Sequence, residues 1–282
     1  MGTKRRDTIA YKGEAMKFGI AGYGKMSSAI AQAAEEFFAQ TGTKVYIYTP
    51  SLSSVQRAKE NHPQAHFCME MKELCRRADM VLLGVKPQIM PMILRKHRED
   101  LRGKSVLSIA AGLSSESIRA MIEDAACVQR IMPNLGVLVS EGMTVFSEET
   151  TLEPADHKYA IELFEFIGKV KILPENLMDI ASVLAGSGGA FYTMFVEAIA
   201  EAGLRRGLRY QDALDMVLQN NLGTLLLLQN GHDSRQLRLE TCSPAGTTVE
   251  GVSALEKNGL KHALHDAVEA SFLRSKELNK ND

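Results

Sequence analysis

The stretch Thr241-Cys242-Ser243-Pro244-Ala245-Gly246-Thr247-Thr248 has no charged residue, yet it carries four hydroxyls and leads straight into an amphipathic helical pattern. Open backbone N–H groups at a helix start carry partial positive charge and can hold a carboxylate or phosphate without Lys or Arg. The hydroxyls of Ser243, Thr247 and Thr248 add neutral groups that both donate and accept. The plainer alternative is an N-cap in which Ser or Thr satisfies its own helix.

At the other end, Lys17-Phe18-Gly19-Ile20-Ala21 has the makings of a short buried strand, and Gly22-Tyr23-Gly24-Lys25-Met26-Ser27 follows it. The spacing predicts a helix from Ser28 to Phe38, with Ile30, Ala33, Ala34, Phe37 and Phe38 on one face. Strand, glycine turn and helix in that order match the dinucleotide fingerprint. Gly22 would make the tight turn and Gly24 would admit the pyrophosphate. Ser27 stands where Gly or Ala is usual, a small departure at the helix–strand contact.

These two chemical segments need a scaffold, and the intervening pattern supplies one. Val45–Tyr48, Met80–Val85, Ser105–Ile109 and Cys127–Ile131 are expected strands, with a helical stretch beginning at Ser53. Alternation of this kind predicts βαβ units around a parallel sheet. Three strands run into Lys86-Pro87, Ala110-Ala111-Gly112 and Met132-Pro133-Asn134, which marks the carboxyl edge where such sheets bind ligands. From about Glu175 strand signals vanish. Ala190–Leu208, Tyr210–Asn230 and Val249–Leu278 are expected helices, the last with Val252, Leu255, Leu260, Leu264, Ala267, Val268 and Phe272 near helical spacing. The expected fold is an α/β Rossmann-type parallel-sheet domain at 16–174, followed by an all-α dimerisation and substrate domain at 175–282. Residues 1–15 are expected to be a disordered leader or expression remnant.

A chain of 282 residues can hold both domains, and a formal net charge of −1 speaks against nucleic acid or an anionic membrane surface as partner. Cys68, Cys75, Cys127 and Cys242 have neither C-x-x-C pairing nor metal spacing, which fits a reducing cytoplasm. His262/His265 and His62/His66 are weak metal candidates, and no metal is expected. Ile180–Val196 lacks charge but contains Gly186, Gly188 and Gly189; it is expected to be a loop-to-helix element buried in an interface, not a membrane span. The apolar run Leu225–Leu228 adds to the expectation of a homo-oligomer.

Taken together, the landmarks resemble the pyrroline-5-carboxylate reductase family from about Met16 to Leu278. The motifs that carry this resemblance are Lys17–Ile30, Val85-Lys86-Pro87, Ile109–Gly112, Arg130–Asn134, Gly186-Ser187-Gly188 with Ala190-Phe191, and Ser243–Thr248. Departures stand at Ala245 (usually Gly), Gly189 (usually Pro), Leu135-Gly136 (usually Thr-Pro) and Lys25 (usually Asn). The resemblance implies hydride transfer from NAD(P)H to the C=N bond of 1-pyrroline-5-carboxylate, giving L-proline. It implies Thr248 as the donor near the ring nitrogen, directly or through water, with Ser243, Ala245, Gly246 and Thr247 around the substrate. Cofactor contacts are implied at Gly22, Tyr23, Gly24, Lys25, Met26, Thr49, Ser51, Val85, Lys86, Pro87, Ala111, Gly112 and Asn134. The partner is then a small molecule, and assembly is through the helical domain into dimers or a larger ring such as a decamer.

The end of the second strand holds Thr49-Pro50-Ser51, with no Asp or Glu before Glu60. An acid there would accept from ribose hydroxyls and favour NAD. Neutral hydroxyls with Arg57 or Lys59 nearby favour NADP, with NAD as the second choice. Two alternatives stay open: a divergent paralogue reducing another cyclic imine, and a non-catalytic NADP-binding regulator. A β-hydroxyacid dehydrogenase fits poorly, because no Lys lies between Lys171 and Lys257 to serve as its base.

Overall fold

The computed structural model describes residues 15–280; residues 1–14 of the expected leader lie outside the described residues. By contacts the chain divides into one unit running to Gly186 and including the segment from Phe272, and a second unit, Ser187–Ser271.

Among the described residues the first unit is built on eight strands: β1 (Lys17–Ala21), β2 (Lys44–Tyr48), β3 (His66–Phe67), β4 (Met80–Leu83), β5 (Ser105–Ser108), β6 (Cys127–Met132), β7 (Gly142–Thr150) and β8 (Gly168–Leu173). They form one sheet in the order β3-β2-β1-β4-β5-β6-β7-β8. Every pairing is parallel except β6 with β7. The order reverses between β1 and β4, which makes their carboxyl ends the topological switch point of a Rossmann-type sheet.

Eight helices accompany the strands: α1 (Lys25–Ala33), α2 (Glu35–Thr41), α3 (Leu52–Asn61), α4 (Met71–Arg77), α5 (Met90–Lys96), α6 (Ser115–Met121), α7 (Pro154–Phe166) and α8 (Met178–Ser182). Side chains on β4 alternate between two cores, as period-2 geometry requires. Met80 and Leu82 join Phe18, Ile20, Phe37, Phe38, Tyr159 and Phe164 on one face. Val81 and Leu83 join Leu74, Met90, Leu94 and Val106 on the other. Both faces are buried, so β1 and β4 are apolar along most of their length. At the start of β7 and β8, Gly142 and Gly168 are register partners. A Cβ on Gly168 would strike the carbonyl of Gly142.

Several expectations are corrected. The helix predicted at Ser28–Phe38 starts earlier, at Lys25, and bends at Ala34 (φ −89°, ψ 1°) into α2. The segment around Gly186-Ser187 is not a loop: a turn of π-helix, Val183–Ser187, joins the helices on either side. β3, β7 and β8 lie outside the strands that the sequence predicts.

The second unit holds α9 (Gly188–Leu204), α10 (Tyr210–Gln229), α11 (Ser234–Thr241) and α12 (Thr247–Lys257), and α13 (Leu260–Lys280) begins in it. The single helix expected at Val249–Leu278 is two, because Asn258-Gly259 interrupts it with Gly259 at φ +72°. A left-handed glycine ends a helix there, whatever the apolar periodicity beyond. α9 and α10 pack closely where Gly203 faces Ala213. Their other faces leave Met194, Met216, Leu218, Leu225, Leu226 and Leu227 exposed.

Candidate functional site

The glycine turn sits at the carboxyl edge because β1 ends at Ala21 and the chain must reverse into α1 within three residues. Gly22 does so at φ +92°, its N–H donating to the Tyr48 carbonyl at 2.8 Å. A Cβ at Gly22 would sit 3.0 Å from the Gly84 backbone, so glycine is required on both conformational and steric grounds. Gly24 is the N-cap of α1 and makes no side-chain cap bond. A Cβ built on it would find only the Gly84 carbonyl, at 3.9 Å. Gly24 and Lys25 are exposed, whereas Tyr23 is buried. The first N–H groups of α1 are thus approachable by an anion at close range, and the first residue of the helix is the exposed Lys25.

The other predicted cofactor residues of this unit gather along the same edge. Val85, Lys86 and Pro87 follow β4, and Lys86, exposed, precedes a short 3-10 turn at Pro87–Ile89. Ala111 and Gly112 follow β5, with Gly112 at φ +82°. Asn134 follows β6. Its side chain is occupied: Oδ1 accepts from the N–H of Gly136 and of Met143, each at 3.1 Å, and Nδ2 donates to the Ala185 carbonyl at 2.7 Å. One amide therefore joins the end of β6, the start of β7 and the π-turn.

At the end of β2, Ser51 caps α3 by accepting from the Ser54 N–H, and its hydroxyl lies 3.0 Å from that of Ser53. Arg57 donates to the Ser54 hydroxyl at 3.1 Å. The two cations considered from sequence therefore differ. Arg57 stands among the hydroxyls beyond Thr49, whereas the Lys59 ammonium lies 5.8 Å over the Phe67 ring. The sequence marks Ser53 only as a helix start, although a serine run at the start of a helix after a strand is a signal of this kind.

Behind the edge lies a charged cluster that sequence reasoning did not assign. Arg130, on β6, donates to Glu175 at 2.8 Å and to Asp179 at 2.9 Å. The Arg130 side chain is 3% exposed. Pairing between β6 and β7 shifts register at this residue, a bulge that re-aims its side chain. Burial alone would raise the Glu175 carboxyl. Hydrogen bonds from Ser147, Arg130 and the Ser115 N–H outweigh burial and hold it below the usual carboxylate range. The sequence signal is the polar pair Gln129-Arg130 inside an otherwise apolar strand.

In the second unit, the loop before α12 has the predicted form. The Gly246 N–H donates to the Ser243 carbonyl at 3.0 Å. Gly246 is the N-cap of α12, with no side-chain cap bond. A Cβ there would strike the Ser243 hydroxyl. Among the described residues, the hydroxyls of Ser243, Thr247 and Thr248 are not engaged by any hydrogen bond of the structure, so the plain capping alternative does not describe this loop. Ala245 is held at φ +54°, a conformation L residues adopt reluctantly.

These features fit a dinucleotide at the edge of the first unit. The fit rests on the open approach at Gly24, where a Cβ would meet only the Gly84 carbonyl at 3.9 Å, and on the uncapped α1 terminus.

Comparison with known proteins agrees. Residues 175–278 match the model described as pyrroline-5-carboxylate reductase dimerisation. Residues 17–112 match that described as NADP oxidoreductase, coenzyme F420-dependent. The chain is 33% identical over 272 residues to a pyrroline-5-carboxylate reductase of Methanosarcina acetivorans, covering 95% of this chain and 99% of that one. It is 35% identical over 218 residues to the Synechocystis reductase, 77% and 81% of the two chains. Among solved structures, the Plasmodium falciparum pyrroline carboxylate reductase with NADP bound superposes with a TM-score of 0.85 at 28% identity, covering 94% of this chain and 99% of that one. With a fold, an edge and a loop of the right chemistry, and relatives matched over nearly their whole length, the chain belongs to the pyrroline-5-carboxylate reductase family.

Proposed function

We propose that Thr248 delivers the proton, and the Ser243–Thr247 loop holds the substrate carboxylate, in the reaction of this family. That reaction is reduction of the C=N bond of 1-pyrroline-5-carboxylate to L-proline, and the chain is an NAD(P)H-dependent oxidoreductase. The observation that carries the assignment is the uncapped start of α12, where Thr247 and Thr248 are exposed beside the half-buried Gly246.

The bound reduced nicotinamide supplies a hydride to the imine carbon. The chain's own residues do the rest. N–H groups at the start of α12, with Ser243 and Thr247, hold the carboxylate and so fix the ring, since a misplacement of about 1 Å can cost on the order of 100-fold in rate. The electron pair of the C=N bond moves to the ring nitrogen, and the Thr248 hydroxyl gives that nitrogen a proton, directly or through water. Solvent then reprotonates Thr248. No strong acid is needed, because hydride addition to the neutral imine raises the basicity of the ring nitrogen, which draws the Thr248 proton as the charge develops.

The remaining assignments are proposed on the same footing. Gly22, Tyr23, Gly24, Lys25 and Met26 form the pyrophosphate turn; Val85, Lys86, Pro87, Ala111, Gly112 and Asn134 border the nicotinamide side. Thr49, Ser51 and Arg57 receive the adenosine ribose. NADP is the cofactor, with NAD compatible. The domain boundary is placed at 174/175, with 175–282 the dimerisation and substrate domain. The chain assembles with copies of itself. A decamer is proposed as the full assembly, and a cytoplasmic enzyme free of membrane as its setting. The run Glu175–Leu204 has the length and hydropathy of a span, but its π-turn and glycines suit packing against protein better.

The test is NADPH oxidation with 1-pyrroline-5-carboxylate, 1-piperideine carboxylates and an NADH control. Turnover of the five-membered imine should fall about 100-fold or more in kcat in Thr248→Ala. NADPH binding without turnover of any imine would overturn the proposal.

A further inference from the structure

Away from the nucleotide edge, the first unit contains a cavity of about 320 Å³ between α2, the start of β2 and the segment joining α3 to β3. Phe38, Ala39 and Val45 give it an apolar wall, and Glu35 and His62 stand together at the α2 N-terminal end. The His62 side chain is only 7% exposed, and its Nδ1 lies 3.9 Å from a Glu35 oxygen, too far for a hydrogen bond. Its Nε2 has no partner. A buried imidazole with unmet hydrogen-bonding capacity is costly unless something completes it. Burial is the largest influence on His62 and lowers its pKa against the opposing pull of Glu35, so the ring is neutral near pH 7 and adds no positive charge beside Glu35. Lys44 lines the opposite end, past the α2 C-cap, so a cation is favoured at the Glu35 end and disfavoured at the other.

We infer that this cavity is a binding site for a small amphipathic amine, its ammonium beside Glu35 and His62 and its apolar body along Phe38, Ala39 and Val45. Size is at the lower bound of ordinary small-molecule pockets, which suits a single ring with a short amino chain. The site is distinct from the nucleotide turn, although it borders it: the His62 ring packs edge-on against Tyr23, with centroids 5.8 Å apart.

The test is calorimetric titration of the NADPH-loaded oligomer with phenethylamine, and with 2-phenylethanol as its uncharged counterpart. Saturable amine binding is expected, weakened at least about tenfold by Ala39→Phe, which fills the wall from the helix surface. Glu35→Gln should weaken the amine about fivefold and leave the alcohol unchanged, a modest factor because the Glu35 side chain is 60% exposed. Imine turnover reports that each variant is folded, and Glu35→Gln decides alone if Ala39→Phe is not. Absence of saturable amine binding, equal binding to wild type and Ala39→Phe, or equal weakening of both probes by Glu35→Gln would overturn the inference.

Discussion

Ser27 occupies the space that a side chain at Gly84 would need: a Cβ there would collide with the Ser27 hydroxyl. The third residue of α1 and the first residue after β4 are therefore a matched pair. The Ser27 hydroxyl is buried with no partner. Gly84→Ala is expected to cost about 1–3 kcal/mol and to weaken NADPH binding, because the pair supports the glycine turn. Adding Ser27→Gly should restore most of that stability. Denaturant unfolding of both single variants and the double variant checks it, and strict additivity would show that the two positions do not compete.

Ala245 is the loop's strained position, at φ +54°. Relief by Ala245→Gly should stabilise the chain by about 1 kcal/mol, less the entropy that glycine loses on folding. Thermal unfolding gives the sign; a lower midpoint would mean that the alanine methyl makes contacts worth more than the strain.

The buried Arg130 should be the costliest polar residue to remove. Arg130→Met leaves Glu175 and Asp179 facing each other without their cation, and a loss of about 3 kcal/mol is expected. The Glu175 carboxyl titrates below its unfolded value. Its contribution is therefore complete above roughly pH 4.3 and is lost as pH falls through the lower, folded value. Urea unfolding between neutral and acid pH should show this slope in wild type and a shallower one in Glu175→Gln. Parallel curves would rule out the linkage.

Arg57 should discriminate between cofactors. Arg57→Ala is expected to raise KM for NADPH by about tenfold while leaving that for NADH nearly unchanged. Equal effects on both would place Arg57 away from the ribose.

Two thiols should be inert in the folded protein. Burial pushes Cys75 up to about 12 and Cys68 up to about 11. Because the thiolate is the reactive form, iodoacetamide near pH 8 should modify neither until denaturant is added. Mass spectrometry of the alkylated peptides reads this directly, and labelling of Cys75 under native conditions would contradict its packing.

The glycine turn, β1 and β4 were legible because each obeys one local rule: glycines where a turn tightens, unbroken apolar residues where a strand is covered on both faces. β8 alternates Lys169 and Lys171 with Val170 and Ile172, a polar edge pattern with little to mark it as sheet. β7 ends in Ser-Glu-Glu-Thr for the same reason. The break at Gly259 was visible as Asn-Gly but was overridden by apolar periodicity on both sides of it. At the candidate site, residue types announced the hydroxyl loop. The left-handed Ala245, the occupied Asn134 amide and the Arg57–Ser54 contact depend on backbone angles and neighbours that no short window contains.

The Gly142–Gly168 partnership has a consequence for how the outermost strand finds its place. An edge strand of alternating charge and modest apolarity has little hydrophobic instruction about alignment, and a slip by one residue would turn its lysines toward the opposite face. With glycine facing glycine, β8 and β7 can approach closely at one alignment only; any shift sets a bulky residue against the Gly142 carbonyl. The absent side chains thus act as a key cut for a single position, proofreading the strand at the edge of the sheet.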